Sequence, residues 1–150
     1  MRKSELKIQA EACSFIWNEM PETRYCLYHV ANEAQRSPVE WGMLKAAGFI
    51  NGIQDIHFLW SGVTYRIEMK GEGGHIDPAQ KVVHAAHAKQ GSITYVFWDS
   101  DTLIRFVKEI VLGGFKIENW AQYVSEYSKP EMLDAYIKQF NDLKAKKRLK

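Results

Sequence analysis

Gly52-Ile53-Gln54-Asp55-Ile56-His57-Phe58-Leu59-Trp60-Ser61-Gly62-Val63-Thr64-Tyr65-Arg66-Ile67-Glu68-Met69-Lys70 is the stretch on which the reading of this chain turns. Its two halves, Ile53 to Trp60 and Val63 to Lys70, are rich in β-branched and aromatic residues, as strands are. Ser61-Gly62 separates them, and the glycine supplies the positive φ that a two-residue hairpin loop needs. With that loop, Trp60 pairs with Val63. Counting back along both strands sets Asp55 directly opposite Glu68, and Lys70, two residues further, points to the same face. Facing carboxylates repel and destabilise a ladder unless a cation lies between them. Two carboxylates, a lysine and room for water suit Mg²⁺ and phosphodiester chemistry. The plainer alternative for Glu68 and Lys70 is a cross-strand surface ion network, which contributes little.

Outward from the hairpin, the pattern alternates between helix and strand. A helix is predicted from about Glu5 to Glu19, with Ser4 as its cap and Leu6, Ala10, Cys13 and Trp17 at helical spacing; Pro21 ends it. Tyr25 to Ala31 reads as a strand. Ser37-Pro38-Val39-Glu40 is a capping box opening a helix that ends at Gly48. After the hairpin, Gly71 to Gly74 is a flexible loop. Asp77-Pro78-Ala79-Gln80 caps a further helix ending near Gly91. Ile93 to Trp98 is a strand, and Ser100 is expected to cap a helix whose apolar face is Leu103, Val107, Ile110 and Val111. Gly113-Gly114 breaks that helix. A short helix from about Glu118 and a longer one after Pro130 follow, the latter with Met132, Leu133, Tyr136, Ile137, Phe140 and Leu143 as its stripe. Interleaved strands and helices predict an α/β fold with a sheet covered on both faces, and the hairpin makes that sheet mixed. Gly113 to Lys116 is the expected seam between residues 1–114 and a helical extension at 115–150 within one structural unit.

Composition narrows the classes. With 150 residues, 46% of them hydrophobic, the chain is long enough for one domain with a real core. Its five Trp, seven Tyr and seven Phe argue against disorder. No apolar run approaches the roughly 18 residues of a membrane span, and no signal-peptide pattern opens the chain. Cys13 and Cys26 stand in no metal-binding spacing and read as reduced thiols, which points to a cytoplasmic setting. The net charge is +2, but residues 138–150 carry six Lys/Arg against one Asp, leaving −3 for the rest. A basic tail on a slightly acidic body suggests a polyanion contact from one end; a solvated helix end is the alternative.

Asp55 followed by Glu68-Met69-Lys70 resembles the PD-(D/E)xK nuclease superfamily, and more specifically the VRR-NUC group of virus-type replication and repair nucleases. Further segments carry the resemblance: Ser4-Glu5 through Gln9, His29-Val30-Ala31-Asn32-Glu33, Arg36, Lys45-Ala46-Ala47-Gly48, Gly52-Ile53-Gln54-Asp55 and Ile76-Asp77-Pro78-Ala79-Gln80. Together they span roughly residues 4–110. The chain departs from the pattern at Gln54, where the family usually has proline.

The resemblance implies a restriction-endonuclease-like α/β/α core with a mixed β-sheet plus a C-terminal helical extension. It implies a Mg²⁺- or Mn²⁺-dependent endodeoxyribonuclease acting on branched or double-stranded DNA, similar to Holliday-junction resolvases and working as a homodimer. Such a protein is expected in the cytoplasm of a bacterial or phage-infected cell. By the same resemblance, Asp55 and Glu68 bind the metal, the Met69 carbonyl is a third ligand, Lys70 orients water or offsets developing charge, and Glu5 reaches the site from the first helix. Glu5 is also a favourable first-turn acid, and Glu11 competes for its role. Gln80 contacts substrate or water, closes its capping box, or does both. Glu33, Arg36 and His75 are weaker candidates. His84 and His87, at i and i+3 without a third ligand, read as surface residues. The alternative function is a catalytically inactive nucleic-acid-binding homologue.

Overall fold

The computed structural model describes residues 4–30 and 36–148. The chain is α/β, built on a four-stranded mixed sheet in the order β1-β2-β3-β4. The strands are β1 (Leu27–His29), β2 (Ile56–Trp60), β3 (Val63–Met69) and β4 (Thr94–Phe97); the helices are α1 (Glu5–Glu19), α2 (Pro38–Ala46), α3 (Pro78–Lys89), α4 (Ser100–Val111) and α5 (Leu133–Arg148). Short 3₁₀ turns occupy Pro21–Thr23, Ile117–Tyr123 and Pro130–Met132.

The hairpin has the expected register, Trp60 on Val63 and Ile56 on Ile67. Both loop residues are left-handed, Ser61 at φ 49 and Gly62 at φ 80, so serine shares the positive φ assigned to glycine alone. Strand β1 runs antiparallel to β2, and β4 parallel to β3. A parallel neighbour requires a crossover, and α3 supplies it.

Alternation sorts the sheet into two unlike faces. Ile56, Phe58, Ile67, Met69, Tyr95 and Phe97 point to one, where Ile8, Ala12 and Ile16 of α1 and Leu103, Phe106, Val107 and Ile110 of α4 close the core. Phe106 is its hub, with the rings of Tyr95, Phe97 and Trp120 at 4.8, 5.0 and 5.0 Å. The other face carries His57, Arg66, Glu68 and Thr94 in β2 to β4. Helix α3 packs over its β3–β4 half, burying Val83, His84 and Ala85, and α5 lies outside α3.

Several expectations change. In α1 the buried residues are Ile8, Gln9, Ala12 and Ile16. Leu6 and Trp17 of the expected stripe are 64% and 44% exposed. Both stripes have helical spacing, but Ile8-Ala12-Ile16 places a small residue where helix meets core, and packing selects it. Strand β1 is shorter than expected, because Tyr25 turns to φ 69 and the extended run starts after it. The cap of α4 is Asp99, whose Oδ1 accepts the Thr102 N–H at 2.7 Å. Ser100 is the first helical residue, and its hydroxyl donates to the Ile8 carbonyl at 2.9 Å, tying α4 to α1. Past Gly113 the chain stays in the same core: Phe115, Trp120, Tyr123 and Val124 pack there. Val124 bridges Tyr95, and the Ser125 N–H donates to the Thr94 carbonyl at 2.8 Å, so this segment lines the outer edge of β4. Cys13 and Cys26 are free thiols, and burial pushes the Cys13 thiol up to about 11. Among the described residues, no helix is long and apolar enough to cross a membrane.

Candidate active site

The start of β2, the end of β3, the first turn of α1 and the first turn of α3 converge at one end of the polar sheet face. Helix α3 begins with a complete capping box: the Gln80 N–H donates to Asp77 Oδ1 at 2.9 Å, and the Asp77 N–H donates to Gln80 Oε1 at 3.0 Å. The same Gln80 amide faces the sheet. Its Oε1 accepts from Lys70 Nζ at 3.0 Å, and its Nε2 donates to Glu68 Oε1. Gln80 therefore closes its capping box and also bonds Lys70 and Glu68. Gly52 makes this docking possible. It sits at φ 93, and a Cβ there would lie 2.7 Å from the Ala79 carbonyl atoms and 2.8 Å from the Gln80 nitrogen.

Glu68 has no solvent exposure, and its Oε2 has no hydrogen-bond partner. Burial, reinforced by the nearby charge of Asp55, pushes its carboxyl up to about 9, with Lys70 and the Asp55 backbone N–H pulling the other way. Asp55 lies one residue before β2. Its Oδ2 accepts the Met69 N–H at 2.8 Å, which holds the carboxylate against the end of β3. Burial also raises the Asp55 carboxyl, opposed by that hydrogen bond. The Met69 side chain is in the core, so only its backbone can serve this site. Lys70, 5% exposed, places Nζ 3.7 Å from Glu68 Oε1 and 3.6 Å from Glu5 Oε1. Glu11 points elsewhere and accepts from the Ser100 hydroxyl at 3.2 Å.

Glu5, Asp55, Glu68, Lys70 and Gln80, with the Met69 backbone, are thus brought together from four separate segments. His75 and Arg36 are exposed, and Glu33 lies outside the described residues. Among the described residues no three His, Cys, Asp or Glu side chains are grouped as a metal cluster. The donors on hand are the Asp55 and Glu68 carboxylates. A hydrated Mg²⁺ needs only one or two carboxylates and keeps several waters, and the unpartnered Glu68 Oε2 is an oxygen such an ion can take.

Three residues behind the site have surroundings that sequence reasoning missed. His84 is not a surface residue: it is fully buried, its Nδ1 lies 2.8 Å from Ser125 Oγ, and its Nε2 has no partner. Burial drops its pKa to about 4, so the ring is neutral. It sits at i+4 from Gln80, on the same side of the helix. His87 is half-buried, also contrary to expectation. Gln54, in the position where proline was expected, is completely buried; its Nε2 lies 3.0 Å from His87 Nδ1 and donates to Thr94 Oγ1 at 2.9 Å. It ties the residue before Asp55 to β4 and α3, and a side chain thereby does the shaping that a proline ring would do through the backbone. Compared with known proteins, the chain matches no family model, no curated protein sequence and no solved structure.

Proposed function

We propose that this protein is a metal-dependent nuclease with a restriction-endonuclease-like core, hydrolysing phosphodiester bonds of DNA. The observation that carries this reading is the buried Glu68 carboxylate with one oxygen unpartnered, set beside Asp55 and Lys70. A carboxyl pushed up to about 9 and left half unsatisfied is a costly feature for a structural residue, and a divalent cation removes the cost.

Asp55, Glu68 and the Met69 carbonyl are the residues that would hold Mg²⁺ or Mn²⁺. Such an ion supplies an acidified water and offsets charge on the scissile phosphate. Lys70, fixed by Gln80, stands where it can orient the attacking water or neutralise charge as the phosphorane-like transition state forms. Glu5 keeps the Lys70 ammonium between two carboxylates, and Gln80 holds Glu68 Oε1 so that Oε2 remains free for the ion. The leaving alkoxide takes its proton from solvent, and no covalent enzyme intermediate is required.

Branched DNA is the proposed substrate and a homodimer the proposed form, since symmetric cutting of a junction needs two sites related by a two-fold axis. The second reading is a binding module without catalysis. It draws on Gln54, which stands where the resembled family has proline. Cleavage of a labelled four-way junction, a flap and a linear duplex, with Mg²⁺, Mn²⁺ or EDTA, separates the two. Metal-dependent cutting that is lost in both Asp55→Ala and Lys70→Ala supports the nuclease. Binding without cutting in any metal supports the module.

A further inference from the structure

A transverse row of the sheet next to the carboxylates has the opposite character. Tyr28, His57, Arg66 and Thr94 are direct cross-strand partners through β1, β2, β3 and β4, so they share one face. That face also holds Asp55 and Glu68, two residues along β2 and β3, a separation of roughly 6–7 Å. Helix α3 covers the β3–β4 half of the row. On the β1–β2 half Tyr28 is 45% exposed and Leu59, the next residue on that face, 43%.

Arg66 is the anomaly. Its guanidinium is half-buried and charged at any accessible pH. Its hydrogen bonds are Nε to Ser92 Oγ at 3.0 Å and a longer Nη1 contact to His57 Nε2 at 3.4 Å. Among the described residues no carboxylate pairs with it. A half-buried cation without a counter-charge is unfavourable, and an anion relieves it. Two imidazoles flank it, His57 from β2 and His87 from α3. Arg66 and Ser92, with Tyr65, Tyr95 and Phe115, line a cavity of about 540 Å³ at the hairpin end of β3; His57, His87 and Tyr28 lie outside its lining. At the open edge the Tyr28 ring stands edge-on to His57, centroids 5.8 Å apart, offering an aromatic surface to a base.

We propose that Arg66, with His57, His87 and Ser92, is a phosphate subsite that holds a backbone phosphate of the nucleic-acid strand next to the scissile one, with Tyr28 against an adjacent base. The occupant rests on the nuclease reading; the anion chemistry does not. The carboxylate row repels phosphate unless it carries a cation, whereas the Arg66 row attracts it directly. A strand crossing both rows meets alternating requirements, a metal under one phosphate and a guanidinium under the next. Passing from one row to the other takes it along the strand axes, towards the hairpin end of the sheet.

The test uses the full chain in two arms. Ring resonances of the five histidines are followed by NMR while inorganic phosphate is added in EDTA, where nothing is cut. His57 and His87 are expected to shift and the buried His84 to stay; no movement of His57 and His87 overturns the subsite. This arm uses the wild-type protein and does not depend on a variant folding. In the second arm a labelled oligonucleotide is bound at several salt concentrations by wild type, Arg66→Gln and Arg66→Lys. The expected result is about tenfold weaker binding and a salt slope reduced by about one for Arg66→Gln, partly restored by Arg66→Lys. Phosphate shifts with unchanged oligonucleotide affinity would leave a free-anion site and overturn the strand assignment. Cutting with unaltered Arg66→Gln binding keeps the nuclease and removes the subsite. Loss of binding in Arg66→Gln, with no cutting by wild type in any metal, keeps the subsite and removes the nuclease.

Discussion

With its carboxyl buried and one oxygen unpartnered, Glu68 links pH and stability, and on the proposed reading metal binding too, in a single side chain. Its folded pKa of about 9 lies far above the ordinary 4.5, so the folded protein retains a proton that the unfolded chain releases. The stability this contributes is fully present below 4.5 and is lost as pH rises through about 9. In EDTA the melting temperature is therefore expected to fall across that window, and Glu68→Gln, which needs no proton, should flatten the fall. Mg²⁺ should raise the melting temperature of the wild type in the upper half of the window and leave Glu68→Gln unmoved; thermal scans with and without the ion read both. Gly52 acts at the same scale through shape. Its positive φ and the 2.7 Å approach to Ala79 leave no place for a methyl group. Gly52→Ala is expected to cost about 1–3 kcal/mol in urea unfolding. It should also slow cleavage, because what must move is the turn carrying Gln80.

Helix α3 is the element on which the site depends. Its first turn presents Gln80 to Lys70 and Glu68, and its second presents His84 to Ser125 beyond the edge of β4. Ser125→Ala leaves a buried imidazole with neither nitrogen partnered, and a loss of about 1–3 kcal/mol is expected in urea unfolding. The pH dependence of this element runs opposite to that of Glu68. His84 holds a folded pKa of about 4 against an ordinary 6.5, so on acidification the unfolded chain takes up the proton first. The stability it contributes is present above 6.5 and is lost as pH falls through about 4; His57, lowered to the same value, adds to the effect. Replacing His84 by Gln should make the acid limb of a denaturation series shallower. The helix boundaries themselves were legible, because Asp77-Pro78-Ala79-Gln80 is a capping signal that depends only on neighbours in sequence. That the same glutamine also grips the site was left open, because Lys70 and Glu68 come to it through the sheet.

At the scale of the molecule, the segment after Gly113 is divided by burial rather than by the glycine pair. Trp120 is 2% exposed, packs on Phe97 and Phe106, and donates from Nε1 to Glu109. Helix α5, by contrast, buries no residue completely and packs on α3. Removing residues 115–150 is accordingly expected to abolish the cooperative near-UV transition. Removing residues 130–150 should leave that transition in place, with faster amide exchange confined to α3 and a weaker salt dependence of nucleic-acid binding. Circular dichroism and hydrogen exchange on the two truncations would distinguish this from an extension that is separate as a whole.

What the sequence determined by itself was local or periodic. The hairpin register follows from a two-residue loop and the alternation of side chains, and it set Asp55, Glu68 and Lys70 on one face before any tertiary contact was known. The capping boxes at Ser37 and Asp77 and the α/β order follow for the same reason. The tertiary structure alone decided which of two helical stripes in α1 is buried, since both have the right period and only the packed core distinguishes them. It also decided that His84 and His87 lie inside, because their partners Ser125 and Gln54 stand 41 and 33 residues away in the chain. Arg66 belongs with these: a lysine or arginine in a strand reads as solvated until the sheet shows that, among the described residues, no carboxylate pairs with it. Burial and counter-charge are properties of the folded neighbourhood, and spacing along the chain carries neither.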